Sequence, residues 1–281
     1  MTLLQVLLLA LVQGFCELLP VSSSAHVIMA EKLMGLDPSA PAMTLLLVAL
    51  HTGTMFAVIL YFRHQWYEAY FSSRRAFLAN AAHVLVATLA TGVVGVALLK
   101  LLPVALGVAP DTFEVEQLFD NPRLIAAALA AAGLLIIAAG LLGRAGSGRA
   151  DLARPSALLI GAVQGLCLPF RGFSRSGATI STGLLLGVAR EKAESFSFAL
   201  AVVLTPAVII KEVHRFLKAH ATLGDGGLVQ LAWPSLVGMV LAFGAGLLAL
   251  RWLSGWLERG RWHFFGFYCL AAAAGVLLVL R

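Results

Sequence analysis

Six stretches of mostly apolar residues, roughly 42–62, 80–102, 124–143, 194–214, 231–253 and 262–280, run through this 281-residue chain. A helix needs about 20 such residues to cross the hydrocarbon core of a bilayer, so each stretch is long enough to span one. Two further apolar stretches are broken by polar residues. Residues 2–34 break at Gln13–His26, around Glu17, Pro20 and three serines. Residues 156–189 break at Gln164–Thr179, around Pro169, Arg171, Gly172, Arg175 and Gly177. Each break leaves half-helices of about 12–15 residues, too short to span. The pattern predicts two re-entrant hairpins, each entering and leaving on one face. The expected fold is an all-α polytopic membrane protein, with six transmembrane helices plus two re-entrant helical hairpins in one membrane domain over residues 1–281.

Composition agrees. Apolar residues make up 60% and charged residues 12%, against about 45–50% and about 25% in a soluble domain. Disorder, a coiled coil and a soluble cytosolic enzyme are excluded. The net charge of +6 is scattered over short segments and forms no stripe that could follow a phosphate backbone, so nucleic acid is not a partner. The three cysteines show neither a CxxC pair nor zinc spacing. The N-terminus lacks the basic segment and small-residue cleavage site of a signal peptide. With this topology the loops at 63–79, 144–155, 190–193 and 254–261, with Arg251, share one side. They hold 11 of the 20 Lys and Arg residues against 7 opposite, where the acidic run Asp111, Glu114, Glu116 and Asp120 also lies. The richer side is expected to be cytoplasmic and both termini outside.

The breaks resemble each other. Gln13-Gly14-Phe15-Cys16 pairs with Gln164-Gly165-Leu166-Cys167, and Ser23 and Ser174 each follow ten residues after the Gln. One hairpin plus three spans per half gives an inverted repeat, approximately 1–145 and 152–281, whose polar site lies near the midplane where broken helices meet.

Gln13 and Glu17 are four apart, on one helix face. Pro20 ends that helix, and Ser22, Ser23 and Ser24 sit where the next begins. Helix starts offer free N–H groups and partial positive charge. His26 follows, on the face assigned to Ser22 and Ser23. In the second break Ser174, Arg175 and Ser176 stand at a helix start, with Arg171 and Thr179 nearby. Each charge at bilayer depth costs on the order of 2.5–3.5 kcal/mol, so Glu17, Arg171 and Arg175 need partners. A plain Glu–Arg lock between hairpins accounts for one acid and one base, but not for the serines and histidine beside them. Arginine and helix N-termini suit an anion, phosphate above all. Ser, His and Glu supply a nucleophile, a proton carrier, and a base or metal ligand. His51 reads as a structural or supporting residue. A transporter or lipid flippase is the rival class, since broken helices in inverted repeats are also transporter architecture.

The run Gln13-Gly14-Phe15-Cys16-Glu17-Leu18-Leu19-Pro20-Val21-Ser22-Ser23-Ser24-Ala25-His26 resembles the first signature of the undecaprenyl-diphosphate phosphatase family (BacA/UppP). Gly172-Phe173-Ser174-Arg175-Ser176-Gly177-Ala178-Thr179 resembles its second. The resemblance implies an integral enzyme of the bacterial cytoplasmic (inner) membrane, with a site opening to the periplasmic face. It would hydrolyse undecaprenyl diphosphate to undecaprenyl phosphate and inorganic phosphate, recycling the lipid carrier for peptidoglycan and conferring bacitracin resistance. It also implies a divalent cation, Mg²⁺ or Ca²⁺, with Glu17 as its ligand. Two positions depart from the family pattern. Gln13 replaces a common glutamate, and Arg171 stands where a proline is usual, either as a second phosphate clamp or as a partner of Glu17. The roles expected are catalytic for Ser23, His26, Glu17 and Arg175, and substrate-binding for Gln13, Ser22, Ser174, Ser176, Thr179 and Arg171. Ser23, His26 and a metal-activated water stay open as nucleophiles. Gly and Ala residues facing out of the spans are compatible with a homodimer without specifying one.

Overall fold

The computed structural model describes residues 1–37, 40–107, 118, 121–143, 151–219 and 225–280. Arg144, Arg149, Arg281 and the acidic run Asp111, Glu114, Glu116 and Asp120 lie outside the described residues. Ten helices are described: α1 (Leu3–Leu18), α2 (Ser23–Leu33), α3 (Pro41–Phe71), α4 (Arg74–Leu106), α5 (Pro122–Leu142), α6 (Arg154–Cys167), α7 (Arg175–Leu185), α8 (Arg190–Ala219), α9 (Asp225–Glu258) and α10 (His263–Val279).

Five of these are long and apolar enough to cross a membrane: Ala42–Phe71, Arg74–Ala105, Pro122–Leu142, Arg190–His214 and Ala232–Glu258. The chain is a polytopic membrane protein. The sixth expected span, 262–280, is α10, with 17 residues, at the short end of the spanning range.

Helix starts follow local chemistry. Thr2 caps α1 in a capping box with Gln5. Asn121 accepts from the backbone of Arg123 and Leu124 at the start of α5, with Pro122 pre-set for the first turn. Hydropathy misplaces some ends. Residues 63–79 were expected as a loop, yet only Ser72 and Ser73 separate α3 from α4. Extending a formed helix costs little, and Asn80 Nδ2 donates to the Ala69 carbonyl at 2.8 Å near the end of α3.

The breaks are also narrower than the sequence indicates. Only Leu19–Ser22 and 168–174 are non-helical. Gln13, His26, Gln164 and Thr179 lie within helices, because a polar side chain that finds a partner on another helix need not end its own. α1 and α2 contact each other, as do α6 and α7. Each hairpin leans on a long helix: α1 on α9, and α6 on α4. Close approach is made by the glycines after the two glutamines. A Cβ at Gly14 would stand 2.6 Å from the Ala245 Cβ, and one at Gly165 2.8 Å from the Thr91 carbonyl oxygen. Small residues let helix backbones meet in this way.

α3 packs against α8 and α9, and α5 against α10. The main core lies between them around Phe62, Phe198, Ile136 and Trp262, whose Nε1 donates to Ser181 Oγ at 2.9 Å. The described parts of the four arginine-rich connections gather at one end of the bundle. Gln65 donates to Glu191 at 2.6 Å, Arg190 donates to the Glu258 carbonyl at 2.8 Å, and Lys192 pairs with Asp151.

Candidate active site

Glu17 occupies the last turn of α1, where the helix dipole disfavours a carboxylate. Two other helix starts meet it there. Ser23 opens α2 and Arg175 opens α7, so the free N–H ends of both helices lie close to the acid. Ser23 Oγ donates to Glu17 Oε2 at 2.5 Å, and Gln13 Nε2, one turn back on α1, donates to the same oxygen at 3.1 Å. Arg175 Nη2 donates to Oε1 at 3.1 Å. His51 Nε2 lies 3.8 Å from Oε2. The Glu17 side chain is 16% exposed, so these groups supply most of what water would otherwise give.

The turn between the helices is strained. Ser22 has φ 67° and is the one non-glycine residue at positive φ among the described residues. Such a conformation persists only when its surroundings over-determine it. His26 provides part of that determination. Its Nδ1 lies 2.8 Å from the Ser22 carbonyl oxygen, which can only accept, so Nδ1 carries the proton. In the neutral ring Nε2 then accepts from Tyr268 Oη, 2.8 Å away on α10. The two rings stack with centroids 5.6 Å apart.

His26 thus keeps to the face of Ser22, as expected, and its second ring nitrogen turns to Tyr268 on α10. The imidazole beside Glu17 is that of His51. Its Nδ1 donates to the Leu47 carbonyl at 2.8 Å, which directs Nε2 at the carboxylate.

A cavity of about 470 Å³ opens beside this cluster. Its wall includes Glu17, Ser23, His51 and Arg175, with Gln13, Ser22, Arg171, Ser174 and Ser176 among the other expected residues. Ser174 accepts from the Gly177 N–H at 3.2 Å as the cap of α7, and Ser176 Oγ reaches the Leu19 carbonyl at 3.4 Å, tying one hairpin tip to the other. Thr179 was expected to touch substrate. It is fully buried instead, bonded to the Arg175 carbonyl at 2.8 Å and to Ser197 Oγ at 2.6 Å, because it sits one turn inside α7 against α8. The sequence reading missed Glu31, which lines the cavity, and Tyr268. A charged residue in the apolar arm of a hairpin was the available signal for the first; nothing in the local sequence marks the second. Among the described residues, no group of three or more His, Cys, Asp or Glu side chains is placed to hold a metal by itself.

The arrangement suits an anion held by arginine and helix N-termini, with a serine hydroxyl already bonded to a carboxylate able to take its proton.

Known proteins resemble the chain along its whole length. The family model described as bacitracin resistance protein BacA matches residues 6–275. Undecaprenyl-diphosphatase 2 of Acinetobacter baylyi is 62% identical over 283 residues, covering 100% of this chain and 98% of that protein. Undecaprenyl-diphosphatase of Korarchaeum cryptofilum is 31% identical over 298 residues, 100% of each. Undecaprenyl-diphosphatase 1 of Burkholderia pseudomallei is 33% identical over 277 residues, covering 94% of this chain and 92% of its own.

Proposed function

The chain belongs to the bacitracin resistance BacA family, and from that premise we propose how its converging helix ends carry out the reaction. The protein is an undecaprenyl-diphosphatase, a membrane hydrolase that splits undecaprenyl diphosphate into undecaprenyl phosphate and inorganic phosphate. The observation that carries the site assignment is the 2.5 Å hydrogen bond from Ser23 Oγ to Glu17, with Arg175 on the other carboxylate oxygen.

The diphosphate enters the cavity from the outer leaflet with its prenyl chain between helices. Arg175 moves part of its bonding from Glu17 to the terminal phosphate, a charge-assisted contact worth about 1.5–3 kcal/mol. The N–H groups opening α2 and α7, with Ser174 and Ser176, surround the remaining oxygens. Ser23 Oγ attacks the terminal phosphorus and gives its proton to Glu17. The bond to the bridging oxygen breaks and undecaprenyl phosphate leaves. Water then attacks the phosphoserine, Ser23 regains a proton from Glu17, and inorganic phosphate is released. His51 stands 3.8 Å from Glu17 Oε2, the oxygen that Ser23 also meets, and attracts the carboxylate when its ring carries both protons. His26 acts through the Ser22 carbonyl, fixing the turn that presents Ser23, which makes it a positioning residue and a poor nucleophile.

A divalent cation, Mg²⁺ or Ca²⁺, would be held on the protein side by the single carboxylate of Glu17, an oxygen ligand of the kind hard cations prefer. It would supply charge neutralisation on the diphosphate.

For topology, we infer six spans with α10 as the sixth, two re-entrant hairpins, and inverted repeats over approximately 1–145 and 152–281. The matching contacts of α1 on α9 and α6 on α4 support the repeat. The arginine-rich end is cytoplasmic by the positive-inside rule, which puts both termini and the cavity mouth outside.

The test is phosphate release from undecaprenyl diphosphate by detergent-purified protein, with and without EDTA, beside Glu17→Ala. Metal-dependent release that is lost in the variant supports the assignment. Full release by Glu17→Ala removes Glu17 from the chemistry.

A further inference from the structure

The second hairpin carries two arginines, Arg171 and Arg175, and both line the cavity beside carboxylates of the first. Arg175 meets Glu17 at 3.1 Å. Arg171, on the connection before α7, lies within electrostatic reach of Glu31 on α2. Both Arg171 and Glu31 line the cavity that holds Ser23 and Glu17. Glu31 is 3% exposed, and its Oε1 has no hydrogen-bond partner among the described residues. A carboxylate buried this far is retained only where a cation compensates it, and Arg171 supplies that charge. The two arginines are held apart by the turn at Gly172, whose φ is +99° and whose missing Cβ would collide with the Ile125 carbonyl. The cavity lining therefore holds two arginines and two acids, with Arg175 bonded to Glu17 and Arg171 acting electrostatically on Glu31.

We propose that Glu31 orients Arg171 as the clamp for the phosphate nearer the lipid, making the cavity a two-phosphate site in which Arg175 takes the terminal phosphate. This rests on the diphosphatase reading and deepens it. Arg175 sits at the start of α7 beside Ser23, where the attacked phosphorus must lie. The phosphate that departs with the lipid needs its own neutralising group while the bridging bond breaks, and a guanidinium can grip it with two donors. With no phosphate present, Glu31 keeps Arg171 from standing as an unpaired charge in the cavity.

The experiment uses full-length protein in detergent, with Arg171→Gln, Glu31→Gln and the double variant. Arg171→Gln alone leaves a buried carboxylate uncompensated. The double variant removes both charges and guards against a simple folding failure. Two readouts are taken: KM and kcat on undecaprenyl diphosphate, and the rise in thermal midpoint caused by inorganic pyrophosphate or by inorganic phosphate. Loss of the clamp should lower kcat/KM by about tenfold or more, through a higher KM and, because the clamp neutralises charge while the bridging bond breaks, through a lower kcat as well. It should reduce the pyrophosphate shift to about the size of the phosphate shift and leave the phosphate shift intact. Glu31→Gln should act in the same direction more weakly, and the double variant should match Arg171→Gln. An unchanged KM and pyrophosphate shift in the folded double variant would overturn the proposal, as would equal loss of both anion shifts. Wild-type protein that is stabilised by pyrophosphate through Arg171 yet releases no phosphate would keep the two-phosphate site and remove the diphosphatase reading.

Discussion

Arg175 and Glu17, 158 residues apart in sequence, are joined by a 3.1 Å charge-assisted bond between the tips of the two hairpins. Neither hairpin could hold its charge at this depth alone, since each buried ion there costs on the order of 2.5–3.5 kcal/mol. The pair fixes the hairpins together and puts a phosphate-binding group beside a polarised serine. Arg175→Lys keeps the charge and loses the two-pronged fork. The expected outcome is folded protein with kcat/KM reduced by about 100-fold, on the order of 2.7 kcal/mol of transition-state binding. Steady-state kinetics checks this, and near-normal turnover would argue against a phosphate clamp.

Ser23 separates the covalent route from direct attack by water. Ser23→Ala removes the hydroxyl that now donates to Glu17 at 2.5 Å. Turnover should fall to background. A rate above about a tenth of wild type would exclude Ser23 as nucleophile, because loss of an essential nucleophile costs several orders of magnitude. Rapid acid quenching of wild-type turnover should reveal phosphoserine at position 23 by mass spectrometry.

Strain at Ser22 gives a prediction about stability. At φ 67° a side chain costs about 1–2 kcal/mol relative to glycine. Ser22→Gly should therefore raise the thermal midpoint relative to Ser22→Ala, while its looser turn lowers kcat. Tyr268→Phe removes the donor to His26 Nε2 and should reduce kcat less than tenfold, far less than Ser23→Ala. If Tyr268→Phe proved as damaging as Ser23→Ala, His26 would belong in the chemistry after all.

The three residues at the centre of the site were legible in the sequence because local rules place them. Glu17 lies one turn after Gln13, and Ser23 and Arg175 stand at helix starts signalled by proline, glycine and serine. His26 lies on the face of Ser22 that its spacing indicates, but its other partner, Tyr268, comes from α10, and no local pattern announces it. Glu31 was passed over because its counter-charge, Arg171, comes from the other hairpin, and no local pattern encodes that meeting. Helix ends such as Phe71 lie beyond the apolar stretches because hydropathy marks which part of a helix suits lipid and not where its hydrogen bonds stop.

The packing of the hairpins on their supporting helices yields the last prediction. Gly14 faces α9 with the Ala245 Cβ 2.6 Å from where its own Cβ would lie and the Ala242 carbonyl oxygen at 2.9 Å; Gly165 faces the Thr91 carbonyl oxygen and the Val94 Cβ at 2.8 Å. The obstacles include backbone atoms, so neither contact relaxes by a rotamer change. Gly14→Val must push α1 off α9, and because Gln13 and Glu17 ride on the same helix, the displacement moves the carboxylate away from Ser23. The expected result is a loss of about 2–4 kcal/mol from overpacking, seen as a lower thermal midpoint in detergent, together with a fall in kcat. Gly165→Val should cost similar stability through α4. It should spare more activity, because α6 carries Gln164, which bonds Thr91 at 3.1 Å, and none of the four residues bonded to or paired with Glu17 above. Equal loss of activity at matched stability in the two variants would mean that both hairpins position the reacting groups alike.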